Sequence, residues 1–299
     1  MTIREIINTL EAFAPLDLQE DFDNAGVQVA VNSCPDALDA QLTGVLVCLD
    51  ITEQVIDEAI AKNCNMVVSH HPLIFQPLKR VCGQTYQQRC VAKAILAGIT
   101  LYSAHTNLDN AKGGVNYTIA ALLGLKNLQW LEPRNIVLSS STGDSSSTSS
   151  SAGTRGIEGG SGVIGRIPSP MTAMQLLLSL KTLFKVDTLM NNCKGNSPFA
   201  EQGSICGTIA VEKEIRKVAL CGGAGAFLMG KAREMGADAF ITGEIHYHDY
   251  FGQDMLLVEM GHYQSEQYTQ ELLMKIILRN FPEARVMKTS VNTNPVLAI

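Results

Sequence analysis

The apolar positions of this chain alternate between unbroken runs and helical spacing. "TGVLVCLD" (43–50) is a continuous apolar run, the pattern of a buried strand. "ITEQVIDEAIAKN" then places Val55, Ile56, Ala59 and Ile60 on one helical face. The exchange continues with a strand in "NMVVSHHP" (65–72) and a helix in "QQRCVAKAILAG" (87–98), which has a glycine stop. A strand in "ITLYSAHTNLD" (99–109) and a helix in "GVNYTIAALLGL" (114–125) follow. Further on, "PMTAMQLLLSLKTLF" (170–184) reads as a helix, "IRKVALCGGAG" (215–225) as a strand and "AFLMGKAREMG" as a helix. Strands in "ADAFITGEIHYHD" (237–249) and "DMLLVEMGHYQSE" (254–266), a long helix in "QYTQELLMKIILRNF" and a last strand in "ARVMKTSV" complete the series. Strands alternating with helices predict βαβ units, parallel strands and an α/β fold.

One stretch breaks the rhythm. Residues 139–162, "SSSTGDSSSTSSSAGTRGIEGGSG", hold ten serines and six glycines and almost nothing apolar. Burial there cannot offset the entropy of ordering, so the stretch reads as a flexible Ser/Gly-rich surface loop. It separates lobe one, about 1–130, from lobe two, about 163–299, within a single unit of 1–299. Both lobes share one style, a strand with a polar motif at its carboxyl end.

That style carries the chemistry. All six histidines follow predicted strands: His70 and His71 after "MVVS", His105 after "LYSA", His246 and His248 after "FITGEI", and His262 after "LLVEMG". In an open α/β sheet this is the edge where ligands bind. Asp109 ends "HTNLD", and Glu266 lies four residues after His262, close enough to share its helical face if a helix begins there. Adjacent strand residues point to opposite faces, so His70 and His71 can each reach a different metal once the strand has ended. Pro72 biases His71 toward an extended backbone, which would hold that splay. His70, His71, Asp109, His262 and Glu266 therefore form a plausible ligand set for two divalent metal ions. Imidazole and carboxylate without thiolate suit zinc, manganese, iron or nickel.

Composition narrows the function class. With 46% hydrophobic and 17% charged residues the chain reads as globular. A net charge of −6 disfavours nucleic acid and anionic lipid as partners. No apolar run is long enough to span a bilayer, and charges interrupt the first residues, so a cytoplasmic protein is expected. The eight cysteines form no C-x-x-C pair, and several lie in apolar runs, as free core thiols do in a reducing compartment.

"DFDNAGVQV", "SHHPLIF", "HTNLDNAKGGVN", "CGGAGA", "TGEIHYHD" and "GHYQSE" occur in an order that resembles the NIF-three-like family, whose members are also called GTP cyclohydrolase 1 type 2 homologs. The resemblance covers roughly 1–130 and 163–299. It implies a three-layer α/β/α sandwich built from two related, interlocked lobes, and a homohexamer with metal sites facing an internal cavity. It also implies that the five residues just named are the metal ligands. Two departures stand out. The family's early tryptophan is Phe22 here, ahead of Asp23 and Asn24, and many members have lysine where this chain has His246.

Other groups keep two readings. His105, Glu244 and His248 could transfer protons near the metals or orient ligand imidazoles. Asp23, Asn24 and His246 are candidates to line the cavity, and Asp23 and Asn24 could equally cap a turn. "CGGAG" (221–225) could be a tight strand–helix turn or could hold a phosphate, although it fits a dinucleotide fingerprint poorly. The ligand set serves two functions: a metal-dependent hydrolase acting on a nucleotide or related small molecule, or a non-catalytic metal-binding, metal-delivery or partner-binding protein. Titratable groups beyond the ligand set favour the hydrolase.

Overall fold

Thr2 starts the first helix by accepting from the Glu5 amide, while the Glu5 carboxylate accepts from the Thr2 amide. That helix, α1 (Ile3–Phe13), buries Ile3, Ile6, Ile7 and Leu10 on one face. It opens a computed structural model that describes residues 1–31, 36–137, 156–194 and 208–297. The remaining elements of the first part are β1 (Gly26–Val29), β2 (Val45–Cys48), α2 (Glu53–Ala61), β3 (Met66–Ser69), α3 (Tyr86–Ala97), β4 (Thr100–Ser103), α4 (Thr106–Asp109) and α5 (Val115–Leu122). Then come β5 (Lys126–Val137), β6 (Gly156–Thr172), α6 (Ala173–Phe184), β7 (Met190–Asn191), β8 (Cys193–Lys194), β9 (Ile209–Ala210) and β10 (Glu214–Cys221). The chain continues through α7 (Met229–Glu234), β11 (Ala239–Thr242), β12 (Leu256–Glu259), α8 (His262–Glu266), α9 (Thr269–Asn280) and β13 (Val286–Lys288).

Two sheets organise these elements. The first has the order β1-β4-β3-β2-β13 and the second β5-β6-β10-β11-β12-β7, with β8 and β9 forming a small pair. Each sheet contains three consecutive strands in parallel: β2, β3 and β4 in the first, β10, β11 and β12 in the second. The antiparallel strands β1, β5, β6 and β7 flank them, so the sheets are mixed and not purely parallel. β13, which follows α9, pairs in parallel with β2, so segments far apart in the sequence build the first sheet.

The apolar faces explain the layers. Leu46, Cys48, Val67 and Leu101 pack on Val55, Ile56 and Ala59 of α2 and on Cys90, Val91 and Ala94 of α3. The opposite face of the same sheet, with Val45, Val47 and Val68, joins a large core with α1, α5, α6 and α9 and with Val218, Leu220 and Ile241 of the second sheet. On the far face of the second sheet, Ala219, Phe240 and Leu257 pack with Ala232 of α7. Each sheet thus has helices on both faces. The result is two three-layer α/β/α sandwiches that share their middle helices.

The structure also departs from the sequence reading locally. Residues 156–162 are not loop: they begin β6, and Gly159 to Gly162 are buried. A Cβ on Gly160 would lie 2.5 Å from the Glu132 carbonyl and 2.8 Å from the Trp130 ring. Glycine serves close packing there, not flexibility. Residues 138–155 of the expected loop lie outside the described residues. The expected helix 226–236 starts as a 3₁₀ turn at Gly225–Leu228 and becomes α-helical only as the short α7. Among the described residues, no helix is long and apolar enough to cross a membrane.

Candidate metal centre

The carboxyl ends of the two parallel triplets face each other. β3 runs into His70 and His71, whose amides still bond to the Cys48 and Leu49 carbonyls (3.3 and 3.0 Å), so the two histidines extend the strand pairing. Their side chains then splay to opposite neighbours. His70 Nδ1 bonds to the Ala104 carbonyl beyond β4 (2.8 Å), and His71 Nδ1 bonds to Asp50 beyond β2 (2.7 Å). From the second sheet, β12 leads through Gly261 into α8. The expected helical pair forms, and His262 Nε2 lies 3.2 Å from Glu266 Oε2.

Glu266 joins two groups of side chains. Its Oε2 is 3.0 Å from His71 Nε2 and 3.2 Å from His262 Nε2, while its Oε1 is 3.7 Å from His70 Nε2. His70 Nε2 is also 3.6 Å from Asp109 Oδ1, which α4 carries. His71, His262 and Glu266 could hold one metal ion, and His70, Asp109 and Glu266 another. His105 also falls within ligand distance of His70 and His71. Two buried atoms in the second group, His70 Nε2 and Asp109 Oδ1, have no hydrogen-bond partner. Unsatisfied buried polar atoms are expensive unless something is meant to bind them.

Charge follows from this packing. Burial works against protonation of His71, but its hydrogen bonds to Asp50 and Glu266 outweigh burial and lift the imidazole to about 10. His262 is lifted to about 9 in the same way, burial being overcome chiefly by Glu266. Burial pushes the Asp109 carboxyl up to about 7, with Glu266 adding repulsion against the relief from His70. Glu266 goes the other way: three imidazoles overcome its burial and hold it ionised, well below the usual carboxylate range. Cys221, against the same cavity, is driven far up by burial and by Asp109 and Glu266, so it stays a thiol.

Around the ligand candidates lies a ring of orienting groups. Asp50 accepts from His71 Nδ1 and Glu244 from His262 Nδ1 (2.8 Å), the arrangement that directs Nε2 toward a metal. His105 Nδ1 donates to Asp23 (2.7 Å), and its ring lies 5.3 and 5.4 Å from those of His70 and His71. Burial opposes ionisation of Asp23, but bonds from His105, Thr106 and the Asn24 amide hold it at about 2. Two cavities of about 580 and 530 Å³ flank the histidines and share Phe75, His105 and His262 in their walls.

Some sequence candidates do not reach the site. His246 and His248 are exposed in the turn after β11, where His248 meets Tyr247 and Phe251 and not the cluster. Asp23 does not line either cavity. Its fully buried carboxylate backs His105 instead. Asn24 is not in the cavity walls either, and donates to the Ile74 carbonyl (2.6 Å). The three glycine amides of "CGGAG" are already taken within the fold, which favours the tight strand–helix turn over a phosphate cradle. Gly222, Gly223 and Gly225 donate to Asn116, Ser265 and Thr242 at 2.9–3.0 Å. Gly223 has another reason to be there: at φ +60°, a Cβ would sit 2.4 Å from Glu266 Oε1.

Sequence reasoning missed Asp50 and the residues Thr293 to Val296. Asp50 closes the run "TGVLVCLD" one strand over from the histidines, a signal that was present. Thr293 donates to Asp50 (2.9 Å), and Asn294, Pro295 and Val296 wall the larger cavity, with no periodicity in the sequence to mark them.

Comparison with known proteins agrees with this architecture. The profile of the family described as Duf34/NIF3 (NGG1p interacting factor 3) matches residues 1–295. A GTP cyclohydrolase 1 type 2 homolog of Clostridium acetobutylicum is 30% identical, covering 99% of this chain and 95% of its own. One of Lactococcus lactis is also 30% identical, over 99% of this chain and 98% of its own. Among solved structures, a hypothetical protein of Staphylococcus aureus superposes with a TM-score of 0.81 at 26% identity, covering 100% of this chain and 99% of that one.

Proposed function

Because this chain belongs to the Duf34/NIF3 family, we propose that it holds two divalent metal ions and is a metal-dependent hydrolase of a nucleotide or related small molecule. The naming of its relatives as GTP cyclohydrolase 1 type 2 homologs supports that substrate class. The observation that carries the reading is Glu266, which presents one carboxylate oxygen to each of two ligand groups, beside two buried atoms with no partner.

The residues fit such ions. His71, His262 and one oxygen of Glu266 would hold the first, and His70, Asp109 and the other oxygen the second. Two bound cations would supply Lewis acidity and lower the pKa of water at the site. The chain's own groups would do the rest. Asp50, Glu244 and the Ala104 carbonyl fix the imidazole tautomers. His105, with Nδ1 donated to ionised Asp23, keeps Nε2 free to hold or release a proton at the wall shared by both cavities. Cavities of about 580 and 530 Å³ suit a molecule of nucleotide size.

The test is metal content per chain by elemental mass spectrometry on protein purified without a metal-affinity tag. The same protein, reloaded with manganese, zinc or iron, is then screened against nucleotides and phosphoesters. About two metals with metal-dependent turnover is the expected result. Two metals without turnover on any substrate would move the protein to non-catalytic metal binding or delivery, and no retained metal would end the dinuclear reading.

A further inference from the structure

The segment after β13 is held against the site by a chain of hydrogen bonds. Thr289 N continues the pairing with β2 by donating to the Val47 carbonyl (2.9 Å). Its hydroxyl, with the Ser290 amide and hydroxyl, then grips Glu58 of α2. Two asparagine turns shape the next residues: Asn292 Oδ1 accepts from the Asn294 amide (3.0 Å) and Asn294 Oδ1 from the Val296 amide (3.1 Å). Between these anchors, Thr293 Oγ1 donates to Asp50 Oδ2 (2.9 Å) while the other oxygen, Oδ1, accepts from His71 (2.7 Å). Both oxygens of Asp50 are engaged, one by the segment and one by the ligand imidazole.

We infer that Thr293 is a positioning residue: by fixing Asp50, and through it His71, the segment 289–296 strengthens one of the two metal positions and leaves the other alone. This rests on the dinuclear reading above. The two ligand groups are oriented differently. His71 and His262 each lean on a carboxylate, Asp50 and Glu244. His70 leans on the neutral Ala104 carbonyl, and no hydrogen bond among the described residues joins His70 or Asp109 to 289–296. A carboxylate that is free to turn about its own bond gives up the in-line bond to Nδ1 for part of the time. Thr293 removes that freedom, so its loss is felt at His71 and stops there.

The experiment places Thr293→Val in two single-site backgrounds and titrates each with zinc against a chromophoric chelator. His70→Ala leaves the His71–His262 position, and His262→Ala leaves the His70–Asp109 position. In the first background Thr293→Val should weaken zinc about fivefold, the loss of one ordinary hydrogen bond, and Thr293→Ser should restore it. In the second background neither substitution should change zinc affinity. Melting temperatures of all variants check that each is folded. No change in the first background, or equal weakening in both, overturns the inference while the dinuclear reading stands. A wild-type chain that holds no zinc in the same titration overturns both.

Discussion

At the scale of single residues, Glu266 and Gly223 are the positions where the site is least tolerant. On the proposed assignment Glu266 serves both metals, so Glu266→Gln should lose both, whereas His71→Ala should lose at least one and leave the fold intact. Elemental mass spectrometry of the two variants reads these outcomes, and a Glu266→Gln protein that keeps one metal would contradict the shared carboxylate. Gly223→Ala tests the approach of the second sheet to Glu266. The added methyl would lie 2.4 Å from Oε1, and the backbone stays at φ +60°. The left-handed backbone alone costs roughly 1–2 kcal/mol, so a lower unfolding midpoint in denaturant is expected together with reduced metal content. Stability and metal content both at the wild-type level would show that Glu266 has room to move. The histidine motifs were legible at this scale because polar groups follow apolar runs. Asp50 was equally visible but had no partner in the local sequence, since its hydrogen bond to His71 crosses from one strand to the next.

Elements set the second scale. β13 and the residues after it are fastened to α2 through Glu58, which accepts from Lys62 (2.6 Å) and from Thr289 and Ser290. Burial opposes its ionisation, yet these bonds hold the carboxyl at about 2 against an ordinary value of 4.5. A depressed carboxylate contributes stability that is fully present above the unfolded value and disappears as pH falls through the folded one. Glu58 should therefore stabilise the fold above pH 4.5, with the contribution lost between about 4.5 and 2. Glu58→Gln should lower stability at neutral pH and flatten the acid limb in that window, as read by denaturant unfolding at several pH values; parallel curves for variant and wild type would refute it. The sequence announced α2 and the last strand through their apolar spacing. It also holds the Thr2-x-x-Glu5 signature of α1, although the charges interleaved with its apolar positions blur the helical pattern. β5 and β6 were hidden for a different reason. Pro133 and the glycines of 159–162 suggest loop by composition, while Trp130 and the Glu132 carbonyl need those glycines for packing.

For the molecule as a whole, the candidate ligands come from both sheets: His70, His71 and Asp109 from one side, His262 and Glu266 from the other. Metal loading should therefore clamp the two halves. Ligand at a hundredfold excess over its dissociation constant adds about 2.7 kcal/mol to a folded state, so a chelator should lower the melting temperature by several degrees. Protons compete for the same atoms, because His71 and His262 titrate at about 10 and 9 in the protein alone and must be neutral to ligate. Metal binding at neutral pH should release protons, and affinity should rise with pH toward that range. Calorimetric titration in buffers of different ionisation enthalpy measures the release, and a zero count would show that the imidazoles are already neutral.

The amino-acid pattern alone carried the local matter: most of the strands and helices, β5 and β6 excepted, and the gathering of imidazoles and carboxylates after strands. Those properties depend on the spacing of apolar residues a few positions apart. The three-dimensional fold decided the rest. It chose which four of six histidines meet, turned His246 and His248 outward, and joined β13 to the first sheet. It also brought Glu266 to His71 across 195 residues of chain. No local pattern encodes such a meeting, because it is fixed by how two sheets pack on their shared helices and by the few glycines that let their edges close.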